Sequence, residues 1–135
     1  MLKLKDILSH EGLSNLLSVA TYGNSWAYIK IKRSEMHLAE EDKYDCREDK
    51  WASILLNGGT LMVHDAYEEE ETFNELTEEY VITRYPLDLK AVKKGLRLMK
   101  EQYPRHWADL VEENDDLITG DVWLQLAIFG ELVYS

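Results

Sequence analysis

The chain has 135 residues, of which 45% are hydrophobic and 10% aromatic, so it holds enough apolar material for one buried core and is not disordered by composition. Its 26 acidic and 15 basic residues give a formal net charge of −11. This charge excludes a general nucleic-acid binder, whose phosphate affinity depends on Lys and Arg, and leaves basic proteins or metal cations as partners. We expect a single domain over residues 1–135.

Cysteine content and apolar runs exclude further classes. Cys46 is the only cysteine, so neither an internal disulfide nor a zinc site built on a CxxC motif can form. No apolar segment of the signal-peptide type follows Met1–Asp6, and the longest apolar stretch, Val122–Phe129, is far too short for a membrane span. The sequence therefore predicts a cytoplasmic protein without a membrane partner.

The first 45 residues predict helix, strand and loop in that order. Lys3–Ala20 has apolar residues at near-helical spacing, and Gly12 is expected to divide it into two helices. Trp26–Lys32 alternates apolar and polar residues with the period of a half-buried strand. Ser34–Asp45 is polar and charged, and is either a loop or a short exposed helix.

The middle of the chain adds one helix and two strands. Cys46–Leu56 carries apolar residues on one helical face, and Asn57-Gly58-Gly59 provides a C-terminal stop because glycine tolerates the left-handed conformation. Thr60–Ala66 is predicted to be the second strand. Glu79–Tyr85, which contains β-branched residues, is predicted to be the third.

The C-terminal third is predicted to be helical. Asp88 is a natural N-cap for a helix with an apolar stripe and a basic opposite face, and Arg105–Asn114 forms a shorter helix. Thr119–Tyr134 is apolar on nearly every side and fits a buried helix capped by Thr119, although periodicity alone also allows a strand. The expected fold is α+β, with a small, mostly antiparallel sheet of about three strands packed with four to six helices.

Two polar residues of the last segment have structural explanations. Asp121 would be the second residue of the helix, where free backbone N–H groups and the helix dipole stabilise a carboxylate. Gln125 is the only polar residue within a strongly apolar run. If it is buried it needs hydrogen-bond partners, so we predict a hydrogen bond in the core.

Charge is segregated along the chain. Between Trp51 and Thr83 there are eight acids and no Lys or Arg, and after Arg105 there are seven acids and again no base. The helix Asp88–Arg105 instead holds six of the 15 bases. These runs are either solvated faces or a negative surface that occupies a basic groove of another protein, as a DNA mimic does. The residues assigned to this acidic surface are Asp65, Glu68, Glu69, Glu70, Glu71, Glu112, Glu113, Asp115 and Asp116.

A second hypothesis concerns metal or acid–base chemistry. His64 and Asp65 end a predicted strand, and His106 and Asp109 lie three residues apart on one helical face. Such residues can bind a divalent metal or form an acid–base pair. The sequence has no HExxH, EF-hand or GxSxG pattern, so a structural role for these residues is the commoner explanation, and neither a catalytic residue nor a cofactor is predicted.

Two segments resemble known sequences. Trp51-Ala-Ser-Ile-Leu-Leu-Asn-Gly-Gly-Thr60, followed by Gly120-Asp-Val-Trp-Leu-Gln-Leu-Ala-Ile-Phe-Gly-Glu-Leu-Val-Tyr134, is similar to small uncharacterised proteins carried by phages and mobile elements of gut bacteria. The resemblance spans Trp51 to the C-terminus. It implies a bacterial mobile-element setting and an accessory interaction protein, such as an inhibitor of host defence, and it assigns no functional residue.

Three functional hypotheses follow. The first is a small binding or regulatory protein that contacts a basic protein through the acidic surface. The second is a small metal-dependent enzyme or metal-binding protein that uses His64, Asp65, His106 and Asp109. The third is a structural subunit whose apolar C-terminal segment contributes to a homodimer.

Overall fold

A computed structural model describes residues 1–39, 46–67, 84–114 and 116–134. These ranges contain six α-helices, one 3₁₀ helix and three strands, so the predicted α+β class is confirmed. In chain order the elements are α1 (Leu4–Ile7), α2 (His10–Tyr22), β1 (Ala27–Ile31), the 3₁₀ helix (Arg33–Ala39), α3 (Arg47–Leu56), β2 (Leu61–Asp65), β3 (Arg84–Leu87), α4 (Leu89–Gln102), α5 (Pro104–Val111) and α6 (Leu117–Phe129).

The strands form an antiparallel sheet in the order β1-β2-β3. Ile29, Val63 and Tyr85 lie side by side across it, and the central residue, Val63, is fully buried. The side chains of β1 alternate between half-buried and exposed, as the sequence predicted. Of the predicted strand Glu79–Tyr85, residues 79–83 lie outside the described ranges, and β3 continues beyond Tyr85 to Leu87.

Helix α6 is the centre of the core, between α2 and α4. Two glycines allow these helices to approach closely. A Cβ atom on Gly95 of α4 would lie 2.8 Å from the Cβ of Ala127, and one on Gly120 of α6 would lie 2.5 Å from the backbone nitrogen of Ala20. Trp123 is fully buried, so the predicted buried C-terminal helix is confirmed and the strand alternative is excluded.

The predicted break at Gly12 is wrong, because the first two helices separate at Leu8 and Ser9. The Ser9 hydroxyl accepts a hydrogen bond from the Gly12 N–H at 3.1 Å and so caps α2. Gly12 instead permits a close turn, since a Cβ atom there would lie 2.1 Å from the carbonyl oxygen of Asp6.

The bounds of the last helix also differ from the prediction. Asp116, rather than Thr119, is its N-cap, and its carboxylate accepts a hydrogen bond from the Thr119 N–H at 3.0 Å. The helix ends at Phe129, because Gly130 adopts a left-handed conformation with φ of 76°. Residues 131–134 therefore form a non-helical C-terminal segment rather than the end of a helix.

The remaining predictions concern one loop and one helix. The polar stretch Ser34–Asp45 is a 3₁₀ helix in its first part, and residues 40–45 lie outside the described ranges. Helix α3 follows Cys46 as its N-cap, and Gly58 beyond its end has a φ of 83°, as the predicted stop requires. Among the described helices, none has the length and apolar character needed to cross a bilayer.

Candidate functional site

His64 and Asp65 are interior residues of the sheet. His64 is 5% exposed and stacks on Tyr28, with ring centroids 4.7 Å apart and planes inclined by 20°. Asp65 is 1% exposed, and its Oδ2 accepts a hydrogen bond from the hydroxyl of Tyr134 at 2.6 Å. Asp65 therefore does not contribute to an acidic surface, and both side chains are packed inside the fold.

His106 and Asp109 share α5, as predicted, whereas His64 and Asp65 lie on β2. The Nδ1 of His106 lies 3.2 Å from the Oγ1 of Thr119, at the start of α6. In the described part of the chain, no group of three or more His, Cys, Asp or Glu side chains is placed to hold a metal ion. The arrangement of these four residues lends no support to the metal hypothesis.

The remaining residues of the predicted acidic surface divide into two sets. Glu112 and Glu113 are exposed at the turn between α5 and α6. Asp116 is exposed as well, and the Thr119 N–H that it caps holds the pKa of its carboxyl below the ordinary value. Glu68, Glu69, Glu70, Glu71 and Asp115 lie outside the described residues.

A buried polar network fixes the C-terminal segment. The Oε1 of Gln125 accepts hydrogen bonds from the N–H groups of Val133 and Tyr134, both at 2.8 Å. The Nε2 of Gln125 donates to the carbonyl oxygen of Tyr134 at 3.0 Å and to the Oδ2 of Asp121 at 3.1 Å. Gln125 is 1% exposed, so the predicted core hydrogen bond is confirmed.

Asp121 belongs to the same network, which corrects its predicted role. It is the fifth residue of α6 rather than the second, and its Oδ1 accepts a hydrogen bond from the indole Nε1 of Trp26 at 2.7 Å. The ring of Trp26 in turn lies 5.4 Å from the ring of Tyr134. The carboxylate therefore joins α6 to the residue preceding β1, and the network ties the C-terminal segment to the core.

A second polar cluster lies at the start of α3. Burial raises the pKa of Glu48, but hydrogen bonds from the Cys46 thiol and the Arg47 guanidinium, both 2.8 Å long, outweigh it and leave this pKa below the ordinary value. The same hydrogen bond to Glu48 raises the pKa of Arg47. The guanidinium also lies 5.4 Å from the ring of Tyr22 and 5.1 Å from that of Trp51. These contacts anchor the first turn of α3.

A groove of about 840 Å³ runs along α4. Its apolar lining comes from elements that are distant in sequence, including Leu4 of α1, Pro86 of β3, Trp107 of α5 and Ile128 of α6. This volume falls within the range of ligand pockets, and several of the lining side chains are only half-buried. The groove thus offers an apolar floor that no described residue covers.

The groove is lined by five basic side chains of α4, which are Lys90, Lys93, Lys94, Arg97 and Lys100. The ammonium of Lys100 lies 5.7 Å from the centre of the Trp107 ring. Arg97 makes a long, exposed contact of 3.8 Å with Glu101. We define these five residues as the cationic stripe. A positive stripe beside apolar side chains is an arrangement that attracts anionic, partly apolar ligands.

The sequence allowed the cationic stripe of this site to be recognised, but not its apolar floor. The concentration of bases in Asp88–Arg105 was visible, but it also fits a solvated helix face. The apolar floor had no sequence signal, because Leu4, Trp107 and Ile128 meet only in the folded protein. Comparisons with family models, with curated proteins and with solved structures found no match for this chain.

Proposed function

We propose that this protein is a binding protein whose groove along α4 holds an acidic, partly apolar segment of a partner protein. The observation that carries the proposal is the cationic stripe beside the apolar floor, in a chain whose net charge is −11. The cationic stripe attracts a carboxylate-rich partner, whereas the acidic remainder of the protein repels it. The partner therefore has one favourable orientation, with its acids on the stripe.

The two parts of the groove contribute differently to binding. Burying one leucine-sized side chain on the floor contributes about 1.5–3 kcal/mol, whereas one exposed ion pair contributes about 0.2–1 kcal/mol. The floor therefore supplies most of the affinity. The stripe mainly raises the association rate and selects acidic over neutral or basic segments, so binding should weaken as salt is added.

The acidic surface is a second candidate interface, and it would take a basic partner. Exposed Glu112 and Glu113 at the turn between α5 and α6 support it. Asp116 adds charge there although its carboxylate is engaged as a cap. The groove ranks first because it combines charge with apolar area, whereas described members of the acidic surface provide charge alone.

The other hypotheses receive less support. Most of α6 is buried within the monomer, and its exposed apolar residues are Leu117 and Ile118 at its start, so this helix offers a homodimer only a small apolar area. A mobile-element setting, a cytoplasmic location and the absence of direct nucleic-acid contact remain predictions from the sequence. They fit a small accessory binding protein, and each is compatible with the groove as its working surface.

The test compares two double variants with equal changes in charge. Lys90→Glu with Lys93→Glu reverses two residues of the stripe near the N-terminus of α4, where the helix dipole favours acids and the fold should persist. Lys32→Glu with Arg33→Glu makes the same change at exposed positions outside the groove. Both variants and the wild type are used as affinity baits at low salt.

We expect a defined set of acidic proteins to bind the wild type and the Lys32/Arg33 variant, and to be lost from the Lys90/Lys93 variant. Reversing two exposed charges turns about two ion pairs of roughly 0.35 kcal/mol each from attraction into an equal repulsion, a change of about 1.4 kcal/mol in all, which is about tenfold in affinity. If the three baits retain the same proteins, the groove is not the binding surface and the proposal is wrong.

A further inference from the structure

The cationic stripe has helical spacing. Its five residues occupy positions 90, 93, 94, 97 and 100 on one face of α4, which is a single helix from Leu89 to Gln102. At a rise of about 1.5 Å per residue, the stripe extends over about 15 Å. Carboxylates three and four residues apart on a second helix recur with this same rise, so they can meet the stripe along its whole length.

The strand beside the groove is poorly suited to an extended ligand. Tyr85 and Pro86 of β3 line the groove, and β3 is an edge strand of the described sheet. A peptide that added to β3 as a further strand would need a continuous row of backbone donors and acceptors. Pro86 has no N–H to donate, and proline on an edge strand opposes such pairing.

A helix places no such demand on the groove, because its backbone hydrogen bonds are satisfied internally. Its requirement is an apolar floor for one stripe of side chains, and Leu96, Trp107 and Ile128 provide that floor beside the cations. The Lys100 ammonium, held near the Trp107 ring, places positive charge directly at the border of the apolar area. Apolar residues flanked by acids on one helix match this pattern.

Building on the proposed function, we propose that the bound segment is an amphipathic α-helix whose apolar stripe lies on the floor and whose flanking Asp and Glu residues face the cationic stripe. Recognition then depends on helical phase as well as on composition. A partner segment of the same composition whose apolar residues are spread around the helix should bind much more weakly.

Three labelled peptides test this inference by fluorescence anisotropy. Each has about 18 residues, a length at which a helix can form in water, and the first two contain only Glu, Leu and Ala. The first places Leu on one helical face. The second has the same composition with Leu distributed around the helix, and the third is the first with two central residues replaced by proline.

We expect the first peptide to bind and the other two to bind at least tenfold more weakly. The Lys90→Glu, Lys93→Glu variant should bind the first peptide with about tenfold lower affinity. The Lys32→Glu, Arg33→Glu variant should bind it with the affinity of the wild type. Circular dichroism confirms that both variants remain folded. The Trp107→Ala variant tests the apolar floor. It should lower the affinity for the first peptide without changing how that affinity depends on salt concentration.

The possible failures separate the two proposals. If all three peptides bind equally and the Lys90/Lys93 variant weakens each of them, the helical inference is overturned while the acidic-segment groove stands. If none binds at about 1 mM peptide, or if the variant has no effect, both are overturned. Binding of oligo(dT) or of anionic vesicles in place of the first peptide, sensitive to the same variant, overturns both in favour of that ligand.

Discussion

Replacing Gln125 with leucine removes the centre of the buried polar network while keeping a side chain of similar size. The wild-type side chain makes four hydrogen bonds, with two to N–H groups of the C-terminal segment, one to the Tyr134 carbonyl and one to Asp121. One such bond contributes about 0.5–1.5 kcal/mol, so four give an upper range of about 2–6 kcal/mol.

The expected loss of unfolding free energy lies near the middle of that range, because water can reach some of the former partners of Gln125 more easily than others. Val133 is 49% exposed, so water can replace its lost partner once the segment detaches. Asp121, which still accepts the Trp26 indole N–H, is less exposed and loses a donor inside the protein. We therefore expect Gln125→Leu to lower the free energy of unfolding by about 3 kcal/mol and the melting temperature by about 10 °C.

Urea denaturation followed by circular dichroism measures this change, with Leu132→Ala as the control. Leu132 lies in the same segment and is 38% exposed, so its truncation should cost less than about 1 kcal/mol. Hydrogen exchange at the amides of Val133 and Tyr134 should accelerate in Gln125→Leu alone. A loss below about 1 kcal/mol with unchanged exchange would show that the network does not hold the segment.

Three further predictions test the helix cap, the helix packing and the groove. The pKa of Asp116 lies below its ordinary value, mainly because of the Thr119 N–H, so its stabilising effect is complete above the unfolded pKa and is lost as the pH falls through the lower folded pKa. Asp116→Ala removes this capping hydrogen bond and should cost about 1 kcal/mol in urea denaturation at pH 7. The difference from wild type should shrink below about pH 4, and a difference independent of pH would refute the cap. Gly95→Ala should destabilise the protein by about 1–2 kcal/mol despite the better helix propensity of alanine, because the added Cβ would lie 2.8 Å from that of Ala127, and a higher melting temperature would refute this packing. Trp107→Ala should reduce the affinity for the acidic helical peptide at least tenfold by anisotropy, and an unchanged affinity would remove Trp107 from the floor.

The fold class could be predicted because its signals are local. The alternation in β1 and the Asp88 cap of α4 each identify an element without knowledge of its neighbours. The continuous apolar run of α6 indicates a buried element but leaves helix and strand both open. The errors occurred where two local signals competed. Ser9 and Gly12 both mark a helix boundary, and the capping hydrogen bond made by Ser9 decides in its favour.

The bounds of α6 and the contacts of the C-terminal segment could not be predicted from local patterns. Thr119 and Asp116 are both good N-caps, and the structure selects the earlier one, which adds Leu117 and Ile118 to the helix. Those two residues are 48% and 63% exposed, so apolar periodicity could not place the boundary. The partners of Gln125 were equally unpredictable, because they lie in a segment that turns back after the left-handed Gly130.

The candidate site divides in the same way. Its charge is a property of one helix and was visible as a cluster of bases in the sequence. Its floor depends on how α1, β3, α5 and α6 surround α4, and no linear pattern records that arrangement. Asp65 shows that a charge visible in the sequence need not lie on the surface. It is adjacent to an acidic run, yet it is buried and accepts a hydrogen bond from Tyr134.

The central claim is that the cationic stripe and the apolar floor form one binding surface for an acidic helix. The most direct measurement is the affinity of the one-faced Glu, Leu and Ala peptide for the wild type, for Lys90→Glu with Lys93→Glu, and for Lys32→Glu with Arg33→Glu. We predict a loss of about tenfold in the first double variant alone. Equal losses in both variants would assign the effect to net charge, and no loss in either would contradict the account.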